Sequence, residues 1–173
     1  MDTSAYLILL FFPFLMAYAA FSDLFSMTIS NKISLYLLGG FAFFAWHIGM
    51  EWNTLLNHLS IFGIVFAVGF TLFAFNLAGG GDIKLLACTS LWLGGETVPY
   101  LLYSSLFGAL LAIILLKFRA NILSPRLYKV EWIKRLHQDG FGMPYGVALA
   151  AGAMIAFPGT LWMEHVIARS VGS

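Results

Sequence analysis

Two aspartates, Asp23 and Asp82, and three consecutive glycines directly before the second are the residues whose types and spacing suit chemistry. Gly79-Gly80-Gly81-Asp82 stands between an apolar run ending at Leu77 and another beginning at Ile83. Each glycine costs a helix about 1 kcal/mol against alanine. A carboxylate at membrane depth costs roughly 2.5–3.5 kcal/mol. Two carboxylates sharing one site hold a single proton between them. The ionised member then takes a proton from water as it attacks a scissile carbonyl, while the protonated member polarises the carbonyl oxygen. That is peptide hydrolysis by an aspartate pair, and because such a pair titrates as a unit, acid and base are not assigned within it. Gly79, Gly80 and Gly81 would let a helix or an extended peptide approach Asp82 and would permit positive φ at a turn. Lys84, two residues on, either stabilises an ionised Asp82 or carries its charge to the interface.

Plainer readings stand beside this one. Asp82 fits the N-cap of a following helix, and Asp23 fits an ordinary loop acid. Intramembrane acids also mark ion or proton pathways, although no second set of buried charges and no inverted repeat accompanies them here. A non-catalytic subunit of a secretion machine is a third alternative.

The elements that must position the two aspartates follow from composition. Of 173 residues, 61% are hydrophobic and 10% charged, and the mean hydropathy is +0.89. Soluble domains carry roughly 25% charged residues, so an all-α integral membrane protein is expected, one bundle over residues 1–173 set in a lipid bilayer. Spanning the hydrocarbon core takes about 20 apolar residues. Six spans are expected, at about 5–22, 33–49, 54–77, 83–97, 98–116 and 144–163. The fourth is short, which implies that the Gly79–Asp82 turn is sunk below the membrane surface, where protein or a wet cavity satisfies its backbone. The first stretch resembles a signal peptide at Ala17-Tyr18-Ala19, but its leading region carries Asp2 and no base; a retained first helix is expected. A net charge of +1 gives no argument for nucleic acid, and the single cysteine, Cys88, leaves no cysteine-based metal module or internal disulfide. No cofactor and no metal is expected.

Six spans place Lys32, Lys84, Lys117, Arg119, Arg126, Lys129, Lys134 and Arg135 on one side and Arg169 on the other. The positive-inside rule makes the first side cytoplasmic and puts both termini outside. Asp23 ends the first span and two complete spans separate it from Asp82, so both lie at the cytoplasmic end of the bundle. Glu131 and Asp139 fall in the solvated loop at 117–143, while Asp2, Glu51, Glu96 and Glu164 fall on the far side. Trp46, Trp52, Trp92 and Trp162 sit at the outer ends of spans, where an aromatic belt is expected. Ser104, Gly108 and Ala112 in the fifth span, and Ala148, Gly152 and Ala156 in the sixth, give small-residue packing faces. Pro144 is expected in the first turn of the last helix, and Pro158 should kink that helix near its outer end. In the loop, Leu127, Val130, Ile133 and Leu136 recur every three residues among bases, the pattern of a short amphipathic helix on anionic lipid; a basic loop without defined structure is the alternative.

These residues resemble the type IV prepilin peptidases, a GxGD family of intramembrane aspartic proteases. The likeness rests on Asp23 with Ile29-Ser30-Asn31, then Gly79-Gly80-Gly81-Asp82-Ile83-Lys84-Leu85-Leu86, then Met143-Pro144-Tyr145-Gly146-Val147-Ala148. GxGD alone is a weak signal; joined to the other two it is a strong one covering nearly the whole chain. The resemblance implies a catalytic pair of Asp23 and Asp82, with Asn31, Lys84 and the three glycines shaping the site. Ser30 stands where the family has proline, and a looser loop is expected there. Larger members carry a cysteine-tetrad domain linked to N-methylation; with Cys88 alone, no methyltransferase activity is expected. The short form is similar to the Tad/Flp-pilus peptidases, with archaeal preflagellin peptidases as a second possibility. The implied substrate is a Flp-type prepilin, cleaved after a leader glycine at the cytoplasmic face of a bacterial inner membrane. Its helix is expected to dock beside the first and fourth spans. A basic leader would be repelled by the basic loop, which is therefore assigned to lipid. The oligomeric state is not readable.

Overall fold

A computed structural model describes residues 3–124, 126–138 and 142–171. Eight α-helices occur among them, with no strand: α1 (Thr3–Ser26), α2 (Asn31–His47), α3 (Trp52–Ala74), α4 (Gly80–Leu93), α5 (Thr97–Ala120), α6 (Glu131–His137), α7 (Tyr145–Ala156) and α8 (Leu161–Val171). Short 3₁₀ turns join α4 to α5 at Gly94–Glu96 and α7 to α8 at Phe157–Gly159.

The shortest of the expected spans is the axis of the bundle. From Leu85 onward α4 carries no charged residue on any side, which suits a helix enclosed by others rather than one facing lipid. It packs against α2, α3, α5 and α7, and Ile83, Leu85, Ala87, Cys88, Leu91, Trp92 and Leu93 are all buried. Fourteen residues give about 21 Å of helix. Its end is defined by Gly94, whose φ of 55° lies in the left-handed region. His58 from α3 packs on that glycine, and its Nδ1–H donates to the Leu91 carbonyl at 2.7 Å.

Among the described residues, three helical stretches are long and apolar enough to cross a membrane: Tyr6–Ser26, Trp52–Ala74 and the joined Gly80–Ala120. A fourth is the α7–α8 pair, bent by 47°, taken as one. Six separate spans are therefore not reproduced. α2 has only 17 residues, and two expected spans are merged in the 41-residue stretch. That stretch doubles back at Gly94–Glu96, because Ile83 and Leu86 line the same cavity as Leu101 and Ser104. Several apolar helices of this kind fit a membrane protein.

Two tryptophans depart from the expected aromatic belt. Trp46 and Trp52 are exposed, but Trp92 and Trp162 are wholly buried. Their rings lie 5.0 Å apart; Trp92 Nε1 donates to the Leu37 carbonyl at 2.8 Å and Trp162 Nε1 to the Trp92 carbonyl at 2.7 Å. Each indole N–H finds a backbone carbonyl on a neighbouring helix, which removes its reason to sit at the interface. Phe12, Phe41 and Phe157 complete this aromatic core.

The small-residue faces of α5 and α7 meet closely: the Gly152 backbone lies against Ser104, and Tyr145 covers Gly108. Pro158 sits in the 3₁₀ break between α7 and α8, as its missing N–H requires. Pro144 is the residue before α7 and not within its first turn. The basic loop is not one amphipathic helix. A 3₁₀ turn (Leu127–Lys129) and the seven-residue α6 divide it at Val130. Part of its face is spent on the bundle, with Leu136 buried and Trp132 edge-on to Phe25 at 5.2 Å. Arg119 Nε donates to the Leu136 carbonyl at 2.8 Å, and Arg135 Nη1 to the Phe25 carbonyl at 3.3 Å. Asp2 and Asp139 lie outside the described residues.

Candidate active site

Asp23 stands in the last turn of α1, and its side chain is only 5% exposed. Its Oδ2 accepts a hydrogen bond of 2.7 Å from the backbone N–H of Gly146, at the start of α7. Glycine is needed there for space: a Cβ on residue 146 would lie 2.9 Å from that oxygen and 3.0 Å from Asp23 Cβ. An N–H in the first turn of a helix has no partner within the helix, so it is free for the carboxylate. The chain leaves α1 through Met27, with φ 54°, and enters α2 behind Ser30. Ser30 Oγ accepts from the Lys32 N–H at 3.3 Å, and the Ser30 φ of −64° is one that proline also adopts. The loop is therefore capped where a looser one was expected, because a serine hydroxyl does what a proline ring cannot.

Asp82 is partly buried in the first turn of α4. The N-cap is Gly79 and not Asp82, which removes the simplest structural explanation for the acid. None of the three glycines has positive φ, contrary to the expectation of a left-handed turn. Gly80 and Gly81 are already helical, and the left-handed residue is Asn76, with φ 58°, where α3 ends. The glycines serve close approach instead. A Cβ at Gly79 would lie 2.8 Å from Asp82 Oδ2, while Gly80 faces Phe73 of α3 and Gly81 faces Ile29 beyond α1.

Asp23 and Asp82 line one cavity of about 1020 Å³, together with all three glycines. Their charges are close enough to interact. The walls come from α3 through Gly69 and Leu72, from α5 through Leu101 and Ser104, and from α7 through Tyr145. A cavity of this size exceeds what most small-molecule ligands occupy and leaves room for a stretch of extended chain. Two carboxylates facing one such space can hold a water and polarise an amide. Lys84 and Asn31 are not among the lining residues. Lys84 Nζ donates to Asn31 Oδ1 at 2.9 Å, with both side chains exposed. They tie the start of α4 to the start of α2, so Lys84 neither pairs with Asp82 nor stands alone at the interface. Tyr145 and Gly146 also belong to the site, and the Pro-Tyr-Gly motif is the sequence signal that marks them. Met27 and Asn76, which also line the cavity, carried no signal.

Glu51 and Glu164 lie apart from this cavity, lining a second cleft of about 460 Å³ with His165. Among the described residues, no group of three or more His, Cys, Asp or Glu is placed to hold a metal ion.

No curated protein and no solved structure matches the chain. The family model described as type IV leader peptidase matches residues 10–114, which is 105 of 173 positions. The matched region begins within α1, contains both aspartates and the glycine run, and ends within α5. With more than half of its length matched, and with apolar helices that gather the two acids of that region around one cavity, the chain belongs to the type IV leader peptidase family.

Proposed function

We propose that this chain is a membrane-embedded aspartic endopeptidase in which Asp23 and Asp82 activate a water between them. Membership of the family supports a peptidase acting on a prepilin-type leader. The observation that carries the finer reading is that the two carboxylates, one from α1 and one from α4, line the same cavity. The ionised carboxylate takes the proton of the attacking water, and the protonated one donates to the carbonyl oxygen of the scissile bond. The Gly146 N–H bond to Oδ2 leaves Asp23 Oδ1 as the oxygen free for this work. Gly79 keeps the space beside the Asp82 carboxylate clear of side chain.

The substrate is a Flp-type prepilin with a short basic leader ahead of an apolar helix, cut on the carboxyl side of a leader glycine. The chain crosses the bacterial inner membrane six times, counting α2, α4 and α5 separately. Both termini lie outside, and the cavity opens at the cytoplasmic end, on the side rich in lysine and arginine.

The test is conversion of a Flp-type precursor to its mature length in cells without another leader peptidase. Asp23→Asn and Asp82→Asn should each accumulate in the membrane at the normal level and leave the precursor uncut. Full conversion by either variant would sink the aspartate-pair mechanism.

A further inference from the structure

Behind the aspartate cavity lies a group of hydroxyls that the hydrolytic pair does not use. Thr89 of α4 and Tyr100 and Ser104 of α5 are each no more than 2% exposed. The Tyr100 hydroxyl lies against those of Thr89 and Ser104, yet neither Tyr100 Oη nor Ser104 Oγ meets hydrogen-bonding geometry with any group. Thr89 Oγ1 donates to the Met16 sulfur, at 3.5 Å. A buried hydroxyl without a partner costs about 1–3 kcal/mol, and two adjacent ones are uncommon in a packed interior.

Helix serines and threonines elsewhere in this bundle avoid that cost by folding back on their own helix. Ser60, Thr71, Ser90 and Ser105 each donate to the carbonyl four residues earlier. Ser104, next to Ser105 on the same helix, does not. It is also the member of the group that lines the cavity wall, and Tyr100 is near enough to Asp82 to feel its charge. A site with several polar partners beside a wet cavity meets the usual requirement for a structural water.

We propose that Thr89, Tyr100 and Ser104 form a water-binding site at the inner wall of the cavity, from which water reaches the aspartate pair. This inference rests on the aspartic reading of Asp23 and Asp82. Water held by Tyr100 Oη and Ser104 Oγ passes to the pair and adds to the scissile carbonyl carbon. The carbon–nitrogen bond then breaks; the hydroxyl stays on the new carboxyl and the proton leaves with the amine. The three hydroxyls are positioning groups, since they hold the water and not the peptide.

Brief X-ray radiolysis, which oxidises side chains beside bound water, tests this in the full-length protein in detergent or lipid. Trp92 and Trp162 are as buried as Tyr100 but have their polar groups satisfied, so they set the background. Tyr100 should be oxidised several-fold above them, and Ser104→Ala should bring it down to their level. In prepilin cleavage, Ser104→Ala and Tyr100→Phe should each lower kcat about tenfold, the effect of one lost hydrogen bond, at unchanged KM. Tyr100→Phe removes a single oxygen, so it decides the matter if the serine variant fails to accumulate. Tyr100 oxidation at background, or wild-type kcat in Tyr100→Phe, overturns the proposal. Asp82→Asn separates the two ideas: it should abolish cleavage while leaving Tyr100 oxidation intact. Normal cleavage by Asp82→Asn would instead overturn the aspartic reading.

Discussion

At the scale of single residues, the site is defined as much by missing side chains as by present ones. Gly146 supplies an N–H to Asp23 and, having no Cβ, allows the carboxylate to reach it. Gly146→Ala puts a methyl group 2.9 Å from Asp23 Oδ2, so either the carboxylate or the α7 backbone must shift. A displacement of about 1 Å in a reacting group costs on the order of a hundredfold in rate. The expected outcome is therefore a large fall in precursor conversion with near-normal protein level in the membrane, read by immunoblot of both. Gly79→Ala acts at the other carboxylate by the same means, with the same readout. Lys84→Met should do neither, because its Nζ binds an exposed amide outside the cavity lining; conversion within about twofold of wild type is expected, in line with the small worth of exposed polar pairs. The aspartates and the glycine run could be read from residue type. The Gly146 contact could not, because a backbone donor leaves no signature in composition.

At the scale of elements, α4 shows how burial changes the meaning of a sequence. Its apolar run is too short for a lone span, and the structure accounts for that by enclosing it among α2, α3, α5 and α7. The same enclosure turns Trp92 from an interfacial anchor into a core residue. Trp92→Phe deletes the bond to the Leu37 carbonyl and part of the aromatic packing around it. It should lower stability by about 1–3 kcal/mol, combining a cavity with the loss of one hydrogen bond. Trp46→Phe, at a ring 79% exposed, should change it by less than about 0.5 kcal/mol. Thermal unfolding of both variants in one detergent checks the contrast. An equal response would show that Trp92 does not carry the core.

At the scale of the whole molecule, the proposed orientation makes a prediction independent of catalysis. Cys88 is buried, so cysteines introduced at exposed positions can be labelled selectively. Arg126→Cys should react only from the cytoplasm and Asn53→Cys only from outside, measured with a membrane-impermeant maleimide on intact cells and on inverted vesicles. Labelling of both from one side would break the counting argument that puts Asp23 and Asp82 at the same end. Arg119 at the end of α5 and Arg135 in α6 show that positive charge at that end is not spent on lipid alone. Arg119 grips the Leu136 and Gly142 carbonyls, closing the distance between α5 and the approach to α7.

The sequence by itself determined the all-helical, apolar class of the molecule and singled out the two acids, with the expectation that they share one end of the bundle. These follow from hydropathy, from the parity of crossings and from residue chemistry, all of which are local or additive along the chain. Only the tertiary structure decided which partners those residues have. It assigned the glycines to close packing instead of positive φ, gave Lys84 to Asn31, buried Trp92 and Trp162, split the basic loop at Val130 and brought Gly146 to Asp23. Most of these are contacts between segments far apart in sequence. Such contacts depend on how helices pack around α4, and no one-dimensional pattern records that.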